Sequence, residues 1–174
     1  MSANFIDIAD YKTKQLNDIL FVAHKIKSGL ISPTPLLNKT IAMIFEKSST
    51  RTRISFEVGI KQLGGTPLVL TSNDMQLSRG ETIADTARVM SKYVDAVMIR
   101  AQSHKTLLEF KENSEIPIIN GLSNVSHPCQ IMADIMTIQE NFNCIEGLNI
   151  SWFGDSNNVL KSWIDAATKF KFNL

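Results

Sequence analysis

The stretch Ile41-Ala42-Met43-Ile44-Phe45-Glu46-Lys47-Ser48-Ser49-Thr50-Arg51-Thr52-Arg53 decides how the chain is read. Its first five residues are all apolar. A strand with one face in water would alternate, so this run predicts a strand buried on both faces. Further on, Phe56, Ile60 and Leu63 recur at i, i+4 and i+7, which predicts a helix, and Gly64-Gly65 supplies its stop. The polar segment between them joins the carboxyl end of a strand to the N-terminus of a helix. Ligands of open parallel sheets bind at that end. Free N–H groups and the helix dipole favour an anion there, by about 0.3–1 kcal/mol when exposed and up to ~2 kcal/mol when partly buried. Ser49, Thr50 and Thr52 add hydroxyl donors, and Arg51 and Arg53 add planar forks suited to phosphate oxygens. The plainer reading is a serine N-cap followed by solvated arginines. The close succession of donors at a strand end weighs against it, and the expectation is a phosphate-binding turn.

Working outward, apolar runs at 41–45, 67–70, 96–100, 117–120 and 148–153 read as strands. Helical stripes fill the gaps: Ile83, Ala87, Met90 and Val94, then Ile131, Ile135, Ile138 and Phe142, then Val159, Trp163, Ala167 and Phe170. An earlier helix is expected over 13–27. Strand–helix alternation at this spacing predicts an α/β fold, a parallel sheet flanked by helices on both faces. After the stripe ending at Phe142 come Gly147 and a new apolar run, where a second sheet can begin. The last residues, Lys171-Phe172-Asn173-Leu174, read as the start of a further strand. The expected division is therefore a domain over 1–146, including a linking helix at about 128–142, and the truncated start of a second α/β domain over 147–174. A truncated second unit leaves the Val159 to Phe170 stripe exposed or repacked.

Composition bounds the function. Of 174 residues, 44% are hydrophobic and 20% charged, with a formal net charge of +1, ordinary values for a chain with a real core. Basic and acidic residues are interspersed, which argues against nucleic acid as a partner. No apolar run approaches the ~20 residues of a membrane span, and residues 1–11 lack the pattern of a secretory signal. No membrane is expected, and a cytoplasmic location is. Cys129 and Cys144 form neither a disulfide framework nor a metal motif, and the three histidines show no ligand spacing. No metal and no cofactor are expected.

Further candidates sit at other strand ends. In His127-Pro128-Cys129-Gln130, Pro128 suits the first position of a helix. That puts His127 at the cap and Gln130 in the first turn, where a histidine and an amide can bind a carbonyl and an amino group. The plainer reading, a histidine that merely caps, carries equal weight. Arg100 closes its strand and is placed to meet the same ligand as Ser49 and His127. The polar loop from Gln76 leads into a helix, and Ser78 with Glu81 has capping-box spacing. Asp155-Ser156-Asn157-Asn158 follows the last run without a G-x-G-x-x-G fingerprint, so side chains would do any binding there.

Together these segments resemble the aspartate/ornithine carbamoyltransferase family. Phe45-Glu46-Lys47-Ser48-Ser49-Thr50-Arg51-Thr52 fits its Ser-Thr-Arg-Thr-Arg signature, with Ser48 where proline is common. His127-Pro128-Cys129-Gln130 fits its His-Pro-x-Gln, and Glu81-Thr82 with Asp85-Thr86-Ala87-Arg88 fits the helix between. Met75-Gln76 before Arg79-Gly80-Glu81-Thr82, Met98-Ile99-Arg100 and Gly154-Asp155-Ser156-Asn157-Asn158 are similar to the ornithine enzymes rather than the aspartate ones.

The resemblance implies a carbamoyl phosphate-binding domain followed by the start of a Rossmann-like ornithine domain. It implies carbamoyl transfer from carbamoyl phosphate to the side-chain amine of L-ornithine, without a cofactor, in a homotrimer or a multiple of one. Ser49, Thr50, Arg51 and Thr52 would hold the phosphate. Thr52, Arg100 and His127 would donate to the carbonyl oxygen, and Gln130 would accept from the amino group. Gln76 would come from a neighbouring subunit, and Asn158 would touch the backbone groups of ornithine. The family's Asp-x-x-x-Ser-Met-Gly and His-Cys-Leu-Pro segments, which grip the amino acid, are not in this sequence. Binding without turnover is the expectation for this chain alone. An aspartate or other amine transcarbamoylase, and a non-catalytic carbamoyl phosphate-binding remnant, stand as the alternatives.

Overall fold

Successive residues of β1 (Thr40–Phe45) face different layers, as the period of a strand requires. In the computed structural model, which describes residues 4–31, 34–72, 74–75 and 80–174, Ala42 and Ile44 pack into one core while Ile41, Met43 and Phe45 pack into another. The strands β3 (Ala96–Arg100) and β4 (Ile118–Leu122) repeat the split. Val97, Ile99 and Ile118 join the first core, and Met98 and Ile119 the second. Two cores on opposite faces explain why these runs carry no polar alternation.

Helices supply the covers. Ile60 of α2 (Thr50–Gln62) closes the second core. Ala87 of α3 (Ile83–Met90), with Leu107 and Phe110 of α4 (His104–Glu112), closes the first. The fourth strand, β2 (Thr66–Thr71), lies at the edge and is less buried. All pairings are parallel, in the order β2-β1-β3-β4. The expected α/β sheet with helices on both faces is therefore present. The helix α2 ends where Gly64 adopts φ +84°, the left-handed conformation that a helix stop demands.

A third core forms among helices. Leu16 and Leu20 of α1 (Thr13–Lys27) meet Ile131 and Ile135 of α5 (Pro128–Phe142). Trp163, Ala166 and Phe170 of α6 (Asn158–Phe170) complete it. The Val159 to Phe170 stripe is thus packed within the same chain. Trp163 also stands edge-on to Phe172 at 5.5 Å.

One expectation needs correction, one falls outside the described residues, and one helix was not foreseen. The run 148–153 forms no strand among the described residues. It makes one parallel bridge, Asn149 to Asn173, through Ile150 N to Asn173 O and Asn173 N to Leu148 O, both 2.8 Å. An extended segment becomes a strand only when a ladder lies beside it, and here the facing segment is the last four residues. Of the capping box expected at Ser78 and Glu81, Ser78 lies outside the described residues; the cap of α3 is Thr82, whose Oγ1 accepts from Asp85 N at 3.0 Å. Finally, α4 escaped the periodicity reading. Its apolar stripe is only Leu107 and Phe110, and its better signal was Ser103, which caps it by accepting from Lys105 N at 3.3 Å.

The strand order places a topological reversal beside β1. The chain leaves β1 for β2 on one side and returns through α3 to β3 on the other. A crevice opens at the carboxyl ends of β1 and β3, the place where open sheets of this kind bind ligands.

Candidate functional site

Register builds the site. Phe45 pairs with Arg100, and Arg100 with Leu122, so three strand ends stand side by side. Ser49 follows Phe45 into α2, and His127 follows Leu122 into α5. Between them lies a cavity of about 560 Å³ lined by Ser49, Arg51, Thr52, Arg100, His127 and Gln130, with Phe56, Leu122 and Val159 among its apolar walls.

The first wall is the N-terminus of α2. Ser49 is its N-cap, and its Oγ accepts from Thr52 N at 3.3 Å. Thr52 is buried, and its Oγ1 accepts from Arg100 Nη1 at 3.1 Å. That bond aligns the guanidinium with the helix start. Arg100 Nε is buried and has no partner among the described residues. Burial lowers the pKa of Arg100, and the charge of Arg51 lowers it further. Two cations thus repel each other across one cavity, and an anion between them relieves both.

The second wall is the start of α5. His127 is the N-cap with Pro128 at the first helical position, as expected, but its side chain makes no capping bond. Its backbone N–H donates to Ser162 Oγ at 2.9 Å, and its Nδ1 is buried without a partner. Burial, and then the charge of Arg100, push its pKa down to about 4. His127 is therefore a neutral imidazole at neutral pH. An unpaired buried polar group costs about 1–3 kcal/mol, so two such nitrogens on residues that line one cavity mark it as a place for a polar ligand.

Gln130 lines the same cavity, and its Nε2 donates to Asp134 Oδ1 at 2.8 Å. Ser49, Arg51, Thr52, Arg100, His127 and Gln130 are thus brought together. Thr50 is not. With Ser48, Arg53 and the shared Ser49 it lines a neighbouring hollow of about 410 Å³. Asn158 does not line the cavity either. Its Nδ2 donates to the Ser123 carbonyl at 2.6 Å, and the next residue, Val159, reaches the wall instead. Gln76 lies outside the described residues.

The residues that hold the second wall were missed. Ser162, on α6, takes the N–H of His127 and donates to Asn158 O at 3.1 Å. Behind the wall, His104 bridges Asp7, at 3.3 Å, and Ser123 Oγ, at 2.9 Å, and Ser126 Oγ donates to Asp7. This set ties the turn before His127 to the first strand-like residues and to α4. The partners lie far apart in sequence, so no local spacing announces them. Cys129 also lines the cavity, but burial pushes its thiol up to about 12, which leaves it protonated and inert. Among the described residues, no group of His, Cys, Asp and Glu is arranged to hold a metal ion. Among the same residues, no helix is long and apolar enough to cross a membrane.

Comparison with known proteins agrees with this geometry. Residues 3–140 match the family described as aspartate/ornithine carbamoyltransferase, carbamoyl-P binding domain. An ornithine carbamoyltransferase of Nitrobacter winogradskyi is 53% identical over 98% of this chain and 57% of its own length. That of Bradyrhizobium diazoefficiens is 54% identical, with the same coverage of both chains. Among solved structures, the anabolic ornithine carbamoyltransferase of Campylobacter jejuni superposes with a TM-score of 0.90 at 42% identity, over 99% of this chain and 56% of its own. The Thermus thermophilus ornithine carbamoyltransferase gives 0.92 at 31% identity, over 97% and 59%. The chain spans a little over half the length of the relatives it matches. With the strand-end turn, the capping histidine and the matched residues in agreement, this chain belongs to the aspartate/ornithine carbamoyltransferase family.

Proposed function

We propose that this chain forms the carbamoyl phosphate-binding part of an ornithine carbamoyltransferase. The whole protein would transfer the carbamoyl group of carbamoyl phosphate to the side-chain amine of L-ornithine, giving L-citrulline and phosphate. The observation that carries the reading is that one cavity is lined both by an anion-favouring helix start and by Arg100 and His127, each with a buried nitrogen that has no partner among the described residues. A phosphate alone would need only the former. A ligand with a carbonyl as well as a phosphate uses both. The acceptor, ornithine, is supported by the names of the relatives at 53% and 54% identity.

In this reading Ser49, Arg51 and Thr52 hold the phosphate from the cavity wall, and Thr50 joins them from the neighbouring hollow that shares Ser49. The amine lone pair attacks the carbonyl carbon, and the oxygen takes up negative charge. Thr52, Arg100 and the neutral His127 donate to that oxygen, while Gln130 accepts from the amino group. The oxygen then re-forms the carbonyl as the bond to the phosphate oxygen breaks, and the phosphate leaves with the proton that the attacking amine gives up. Donors already fixed where charge develops are worth about 2.7–4 kcal/mol each. A neutral imidazole can polarise the carbonyl without surrendering its proton to it.

The finer parts of the proposal are these. Residues 1–146, with a linking helix at about 128–142, form the carbamoyl phosphate domain, and 147–174 begin the ornithine domain, where Asn158 meets the amino acid. Gln76 reaches the cavity of a neighbouring subunit in a trimer. The enzyme works in the cytoplasm, in arginine biosynthesis. Calorimetry of the chain with carbamoyl phosphate and with inorganic phosphate tests the reading. Saturable one-site binding that favours carbamoyl phosphate is expected, and equal affinity for the two overturns it. Assaying citrulline against carbamoyl-aspartate in the whole protein tests the acceptor.

A further inference from the structure

Gln130 and Asp134 lie one turn apart on α5. Gln130 lines the cavity, while Asp134 does not. The amide Nε2 donates to Asp134 Oδ1 at 2.8 Å. A carboxylate can only accept, so it must face the NH₂ end of the amide and never its oxygen. No protein hydrogen bond to Gln130 Oε1 occurs among the described residues, which makes it the free acceptor of a side chain on the cavity wall. The plainer reading is a weakly stabilising i, i+4 helix pair. A surface pair would not need its carboxylate half-buried, and Asp134 is, with burial pushing its pKa up and the Gln130 hydrogen bond pulling it back. The carboxylate therefore keeps its place at a desolvation cost that a mere helix pair does not require.

We infer that Asp134 is a positioning residue: it locks the Gln130 amide with Oε1 free, so that the cavity selects a carbonyl ligand bearing an N–H over one bearing a methyl group. The inference rests on the carbamoyl phosphate reading of the cavity. Acetyl phosphate is the discriminating probe, because it keeps the phosphate and the carbonyl and replaces only the amino group. One net hydrogen bond corresponds to roughly 2–10-fold in affinity.

The experiment is calorimetry of the chain, its Asp134→Ala form and its Asp134→Asn form with carbamoyl phosphate, acetyl phosphate and inorganic phosphate. Wild type is expected to prefer carbamoyl over acetyl phosphate by roughly 2–10-fold. In Asp134→Ala the freed amide can present either end, so the preference falls to about one while the affinity for inorganic phosphate holds within about twofold. Alanine is the stronger helix former, so α5 persists. Asp134→Asn can accept or donate and is expected to fall between. An unchanged preference in Asp134→Ala overturns the inference. So does a loss of inorganic phosphate binding in that variant, which would make Asp134 a structural residue only. An Asp134→Asn preference no higher than that of Asp134→Ala also overturns it. If wild type binds carbamoyl phosphate yet does not discriminate against acetyl phosphate, the inference fails and the site reading stands. If wild type binds carbamoyl phosphate no better than inorganic phosphate, the site reading itself fails.

Discussion

Acidification should destabilise this chain through His127, and the effect can be isolated by replacing that residue with glutamine. The fold holds the imidazole neutral, its pKa pushed down from 6.5 to about 4 by burial and by Arg100. The unfolded chain has no such constraint and takes up a proton near pH ~6.5. Between those values the unfolded state binds more protons than the native one, so stability falls as the pH falls. His127's contribution is whole above about pH 6.5 and is lost progressively as the pH drops through about 4. The gap of about 2.5 pH, at about 1.4 kcal/mol each, caps the loss near 3.5 kcal/mol. The side chain is half-buried, and solvent screening reduces this to about 1–2 kcal/mol. Asp134, whose carboxyl burial pushes up, acts with the opposite sign and cancels in the comparison. Urea unfolding of wild type and His127→Gln at about pH 7.5 and about pH 4.5 is the assay, with the wild type losing about 1–2 kcal/mol more than the variant. Equal losses in the two proteins would refute the neutral, buried histidine on which the site geometry depends.

Other outcomes are expected as well. Arg51→Lys replaces a planar fork by a point charge and should weaken carbamoyl phosphate binding by about tenfold, read by calorimetry; equal affinity contradicts the bidentate role. In a turnover-competent protein containing this segment, Arg100→Ala should lower kcat by about 10²–10³ and move KM far less; near-normal turnover excludes an oxyanion role. Asn157 caps α6 by accepting from Val159 N at 2.9 Å and Leu160 N at 3.2 Å. Asn157→Ala should therefore cost about 1 kcal/mol and lower the melting temperature by about 2–4 °C.

Much of the fold was legible because its strands are buried on both faces. Runs such as Ile41 to Phe45 announce a parallel sheet by their unbroken apolarity, and Gly64 and Pro128 mark helix ends by backbone chemistry alone. The run 148–153 is different: Asn149 and Ser151 interrupt it, and only Leu148, Ile150 and Trp152 are half-buried, so its apolar residues mark one packed side and no pairing ladder. Trp152 of that run packs against the helical core instead. The first wall of the site was legible for a similar reason: Ser49 to Arg53 is one contiguous segment, with its chemistry spelled out in order. Arg100 and His127 were placed by the rule that strand ends converge. What the sequence could not disclose was long-range support. Ser162 holds the His127 backbone from 35 residues away, and Asp7 meets Ser126 from 119 residues away. The amide N–H of Asn158 is likewise held by the Ser123 carbonyl, 35 residues away. No periodicity encodes such contacts.

The central claim is that one ligand bridges the start of α2 and the start of α5. Backbone amide NMR of the ¹⁵N-labelled chain, titrated with carbamoyl phosphate, tests it most directly. The account predicts coupled, saturable shifts at Ser49, Arg51, Thr52, Arg100, His127 and Gln130, with a change at the His127 ring nitrogens at the same ligand concentration. Shifts confined to the Ser49 to Thr52 turn, with His127 and Gln130 unmoved, would contradict it.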